Sequence, residues 1–166
     1  MGDETLRQWQ TGPLGLYLQQ VQRAETVVIG ESGAQVYRLW GEREPISFLK
    51  VAPRTGLITL ADDAARLAWL TGRLPTPRVL AYHEDERHCY LLTSVIPGVD
   101  TATLTGRPET DIAQLVRLLA VGLRQIHAVP ADDCPFDYRL SCEIERVRVR
   151  IERGLLDERG FGGRWE

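Results

Sequence analysis

Of the 20 Lys and Arg side chains in this chain only one is a lysine, Lys50, and it closes the apolar run Ile46-Ser47-Phe48-Leu49-Lys50. Arginine offers a planar fork, whereas lysine is a compact ammonium on a flexible stem. A phosphate site that needs a point charge rather than a fork is one place where Arg does not substitute. A candidate partner follows in Asp63. Asp63, Leu67 and Leu70 stand at i, i+4 and i+7, so on a helix the carboxylate would share the apolar face. An inward carboxylate needs a cation, and the lone ammonium is the natural one. Asp62 is expected to pair with Arg66 on the exposed side, a surface pair worth little. Upstream, Gly30-Glu31-Ser32-Gly33 could lay backbone N–H groups against phosphate oxygens, because glycine permits close approach. Each feature also has a plainer explanation: an incidental lysine on a strand edge and an ordinary hairpin turn.

The elements that must position these residues are legible in the pattern. Leu14, Leu18 and Val21 predict an amphipathic helix over 14–24. Three β-like runs follow, Glu25–Ile29, Gln35–Trp40 and Ile46–Val51, joined by short polar connections that predict antiparallel hairpins. Thr59-Leu60-Ala61-Asp62 reads as a capping box that opens a helix ending near Gly72. Leu74-Pro75-Thr76-Pro77 breaks that helix, and two more strands follow, Arg78–His83 and Cys89–Val95. Pro97-Gly98 marks a linker. Beyond it come two helices, Asp111–Ala128 and Ser141–Leu156, each with an apolar stripe. The order predicts an α+β fold: a five-stranded antiparallel sheet with one helix over 1–95, a hinge at 96–100, and the first helices of an incomplete helical part over 101–166. Lysine on the third strand, acid on the next helix and a glycine turn ahead of both match the small lobe of a kinase.

Composition narrows the function classes. A hydrophobic content of 43% and a charged content of 26% over 166 residues suit one globular domain or slightly more. A net charge of −3 gives no nucleic-acid footprint. No apolar run suits a membrane span, and the polar start is no signal peptide. Cys89, Cys134 and Cys142 are odd in number and lack metal-site spacing, which points to reduced thiols and a cytoplasmic protein.

The chain resembles the aminoglycoside O-phosphotransferases, especially those acting on the 3′-hydroxyl. The marks are the run from Gly30 to Leu39, Phe48-Leu49-Lys50, Asp62 to Leu70, Leu74-Pro75-Thr76-Pro77, Tyr90 to Gly98 and Asp133-Cys134-Pro135-Phe136-Asp137. The resemblance implies a protein-kinase-like fold, ATP and Mg²⁺ as cofactors, and an aminoglycoside as acceptor. Ser32 and Gly33 would close over the β- and γ-phosphates. Lys50 would meet the α- and β-phosphates and be held by Asp63, where many relatives place Glu. Phe48 would stack on adenine, and Ser94 and Ile96 would read its edge through their backbone. Plain core packing is the alternative for Phe48 and Ile96.

Phosphoryl transfer also needs an acid beside the acceptor hydroxyl and oxygen ligands for Mg²⁺. In the family these come from a His-Gly-Asp loop with a downstream Asn and from an Asp-x-Gly segment. This sequence has no asparagine, no His-Gly-Asp and no Asp-x-Gly. His83-Glu84-Asp85 reads as a solvated turn and His127 as a cation at a helix C-terminus. The expectation is therefore an ATP-binding half without the catalytic loop or the magnesium ligands, inactive alone. The exposed helix over 141–156 would be an association surface. Two further readings remain: a kinase of the same fold with another acceptor, or a non-catalytic nucleotide-binding or interaction module.

Overall fold

The computed structural model describes residues 3–28, 34–54, 59–105 and 107–154. Its centre is one antiparallel sheet of β1 (Arg23–Val27), β2 (Gln35–Trp40), β3 (Pro45–Pro53), β4 (Val79–Glu84) and β5 (His88–Ser94), in the order β1-β2-β3-β5-β4. Three helices accompany the sheet: α1 (Asp3–Thr11), α2 (Gly15–Leu18) and α3 (Leu60–Leu70). After it come α4 (Thr101–Thr105), α5 (Ile112–His127) and α6 (Leu140–Glu152).

Alternation along the strands sends side chains to two faces, and each face has its own cover. Tyr37, Leu39, Leu49 and Leu92 face Leu6, Leu14, Leu18 and Val21 of the N-terminal segment. Ala52, Cys89 and Leu91 face Leu60 of α3, with Ala64 and Leu67 packed alongside. The sheet is thus the middle layer of three. The register places Val27 opposite Val36, Val36 opposite Lys50, Lys50 opposite Leu91, and Leu91 opposite Tyr82. Lys50 therefore stands in a row on the α3 face.

The hairpins fall where the sequence put them, with β2 matching residue for residue and the other strands displaced by one or two positions at most ends. The N-terminal reading needs correction. The expected helix over 14–24 is the single turn α2, and the chain then enters β1 at Arg23. Leu14, Leu18 and Val21 are all buried, so the spacing reported burial correctly. Ladder pairing of Arg23 with Trp40 and of Ala24 with Leu39 overrode the helical continuation. Helix α1, with Leu6 buried and Trp9 packed edge-on to Tyr37 at 4.9 Å between ring centroids, was not anticipated.

Helix α3 starts where the capping box indicated, but its cap works differently. The Thr59 hydroxyl donates to Asp62 Oδ2 at 2.6 Å instead of accepting from a backbone N–H, while the Thr59 carbonyl accepts from the Asp62 N–H at 3.1 Å. Asp62 and Asp63 lie in the first turn, where the helix dipole favours negative charge. The helix ends through Gly72, whose φ of +81° is the left-handed conformation that favours glycine at this position.

Candidate functional site

Strand β3 presents Phe48 and Lys50 to the same face, two residues apart. Helix α3 brings Asp63 over that face, and the Lys50 Nζ donates to Asp63 Oδ2 at 3.1 Å. Both side chains remain about one-third exposed, at 38% and 31%. An ion pair with that much water access contributes on the order of 0–1 kcal/mol to stability. The pair does little to hold the fold together, but it does hold an ammonium at a defined place on an open face.

The other oxygen of Asp63 is also occupied. Arg66 Nη1 lies 3.3 Å from Asp63 Oδ1, and Arg66 Nη2 lies 3.9 Å from Asp62 Oδ2. Sequence spacing had assigned Arg66 to Asp62 alone; the i, i+3 relation to Asp63 was the overlooked signal. Arg38 is a second cation the sequence reading missed, its guanidinium carbon 5.6 Å from the Phe48 ring centroid. The signal was the β2–β3 register, which sets Arg38 opposite Phe48. On the far side of Phe48 the register places Thr93, which is buried.

At the end of β5 the Ser94 hydroxyl accepts from the Arg78 N–H at 2.9 Å, and the Ser94 N–H donates to the Arg78 carbonyl at 2.9 Å. Ser94 thus fixes the point where the chain leaves the sheet. Ile96 lies just beyond, half exposed. Ser32 and Gly33 lie outside the described residues; the flanking pair Val27–Val36 is in register with Lys50. Among the described residues no group of three or more His, Cys, Asp or Glu is placed to hold a metal ion. The three cysteines are free thiols, and burial raises that of Cys89 above its usual range.

The segment 133–138 lies against α3 and the residues just after it. Phe136 meets Trp69 edge-on at 6.2 Å, and the Arg66 guanidinium lies 5.5 Å from the Tyr138 ring centroid. Arg73 Nη2 reaches Asp133 Oδ2 at 2.5 Å. Asp137 accepts from the Arg139 N–H at 2.9 Å and from its guanidinium, which holds the carboxyl well below the usual range.

A five-stranded antiparallel sheet whose third strand carries a lysine paired to an acid on the following helix is the small lobe of a protein-kinase-like fold. The chain belongs to the phosphotransferase enzyme family, whose model matches residues 25–162. Among curated proteins it is 36% identical over 134 residues to an aminoglycoside 3′-phosphotransferase of Streptomyces fradiae, covering 77% of this chain and 49% of that protein. It is 31% identical over 134 residues to one of Escherichia coli, covering 80% of this chain and 49% of that protein. The chain therefore spans about half the length of the curated relatives it matches. Among solved structures, an aminoglycoside-3′-phosphotransferase of type VIII superposes with a TM-score of 0.66 at 32% identity, over 90% of this chain and 57% of that one. No helix among the described residues is long and apolar enough to cross a membrane.

Proposed function

We propose that this chain supplies the nucleotide-binding half of an ATP-dependent phosphotransferase that acts on a hydroxyl of an aminoglycoside. The observation that carries the reading is the Lys50–Asp63 contact on the open α3 face, made by the only lysine in the chain. In this reading residues 1–95 are the nucleotide lobe, 96–100 the hinge and 101–166 the first part of the helical lobe. The Lys50 ammonium lies against the α- and β-phosphates while Asp63 fixes its direction. Ser32 and Gly33 close over the β- and γ-phosphates, Phe48 stacks on adenine, and the backbone at Ser94 and Ile96 reads its edge. Magnesium ligands and the acid that orients the acceptor come from outside these residues. The Cys134–Asp137 segment, seated against α3, is what favours an aminoglycoside over another acceptor. Such an enzyme works in the cytoplasm, where ATP is available.

The lone lysine makes the test direct. A small acylating reagent has one side-chain amine to modify, so the mass of the peptide containing Lys50 reports on that residue alone. ATP is expected to slow acylation of Lys50, with adenosine giving little protection because it lacks phosphates. Equal rates with and without saturating ATP would remove the basis for placing phosphate at Lys50.

A further inference from the structure

Helix α3 works on two sides. Leu60, Ala64 and Leu67 pack on the sheet. Arg66 and Trp69, at i and i+3, and Arg73 just past the end of the helix all engage the segment 133–138, so α3 is stitched to the helical part. Arg66 occupies a particular place among them. One nitrogen approaches Asp63 Oδ1 at 3.3 Å, and Asp63 is the carboxylate whose other oxygen holds Lys50 at 3.1 Å. The guanidinium also lies over two aromatic rings, 5.5 Å from the Tyr138 centroid and 6.0 Å from that of Phe136. Its Nε is buried and has no hydrogen-bond partner among the described residues. The side chain keeps 37% exposure, yet its guanidinium lies between a carboxylate and two rings, an arrangement the planar fork suits better than an ammonium.

We propose that Arg66 is a positioning residue: it ties the Asp63 carboxylate to the aromatic segment 136–138, so that the placement of the Lys50 ammonium depends on the helical part of the molecule. The inference rests on the reading of Lys50 as a phosphate ligand. With Arg66 present, both oxygens of Asp63 are held and the carboxylate has one orientation. Without it Asp63 keeps a single partner and can swing, and the ammonium swings with it. Any displacement of residues 136–138 then reaches the Lys50 ammonium through three contacts: ring to guanidinium, guanidinium to carboxylate, and carboxylate to ammonium.

The experiment compares ATP with adenosine on the 166-residue chain by calorimetric titration, because only ATP reports the phosphate side. Lys50→Ala is the control for the site itself and is expected to lower ATP affinity by about tenfold or more, the scale of a charged hydrogen bond, with adenosine unchanged. Arg66→Gln is expected to lower the ATP-to-adenosine affinity ratio by about fivefold or more, the lower end of a coupling between two sites. Tyr138→Leu, which leaves every charge in place, should lower the same ratio in the parent and not further in the Arg66→Gln background. A general loosening of the fold would weaken both ligands and leave the ratio alone. If Lys50→Ala changes the ratio and Arg66→Gln does not, the inference is overturned while the nucleotide reading stands. If Lys50→Ala leaves the ratio unchanged, or the parent binds neither ligand, the nucleotide reading fails and takes the inference with it. Should Arg66→Gln not fold, Tyr138→Leu alone decides, and an unchanged ratio overturns the inference.

Discussion

Asp63 and Asp85 show how differently two carboxylates can serve the same sheet. Asp63 spends its oxygens on two cations at a partly wet surface, where the gain in stability is small and the gain in placement is large. Asp85 spends its oxygens on the turn between β4 and β5. It accepts from the N–H groups of Arg87 and His88, each at 2.7 Å, and from the Tyr90 hydroxyl at 2.8 Å. These bonds, the backbone pair foremost, lower its pKa from 3.8 to about 2. A lowered value means that the ionised form stabilises the fold fully above pH 3.8 and loses that contribution as pH falls toward 2. Asp85→Asn is therefore expected to melt at a lower temperature than the parent near neutral pH, with the gap closing as the pH drops through that window. A gap independent of pH would show that charge is not what Asp85 contributes. Lys50, Asp63 and the existence of a β4–β5 hairpin were legible in the sequence, because a unique residue, a helical spacing and a polar hairpin tip are all local signals. His83 and Glu84, read as part of the turn, are instead paired with Tyr90 and Cys89 at the end of β4. Arg66 over Tyr138 was not, because the ring belongs to a segment whose position depends on tertiary packing.

At the scale of elements, the informative disagreement is the N-terminal corner. The α1–α2 turn is held by the Gln10 side-chain amide, which donates to the Leu18 carbonyl at 3.0 Å and to the Val21 carbonyl at 2.8 Å. Hydrophobic spacing cannot foresee a clamp of that kind, since one polar side chain redirects a run whose apolar period is helical. The corner is also tight: a Cβ on Gly15 would lie 2.3 Å from the Gln10 carbonyl oxygen. Gly15→Ala is expected to cost about 1–3 kcal/mol in chemical denaturation, the range for forcing volume into a packed site. Gly122, inside α5 with nothing within 4 Å of an added Cβ, should respond in the opposite sense. Gly122→Ala is expected to stabilise by about 0.4–1 kcal/mol, through the reduced freedom of the unfolded chain.

For the molecule as a whole, the contrast lies between a sheet covered on both faces and helices that are covered on little. In α5 only Leu115 is buried, while Ile112, Leu119, Leu123 and Ile126 are all more than half exposed. In α6, Ile144, Val147 and Ile151 form an exposed stripe, with Leu155 outside the described residues. The sequence announced both stripes, and the relatives extend over about twice the matched length. On the proposed function, the 166 residues alone should not phosphorylate kanamycin. Co-expression with the remaining half of a relative should give a co-purifying pair that does, and Ile144→Lys with Ile151→Lys should abolish the pairing. Turnover by the chain alone would overturn this division of labour.

The register of β3 has an evolutionary consequence. Lys50 faces α3 and Leu49 faces α1 because side chains alternate along the strand, so gaining or losing one residue between Ser47 and Lys50, where the ladder with β2 is regular, would exchange the two unless a bulge absorbed it. The ammonium would then be driven into the apolar layer under α1, and a leucine would take its place beside Asp63. A one-residue change of length here would therefore need a compensating bulge, whereas a substitution leaves the two faces as they are.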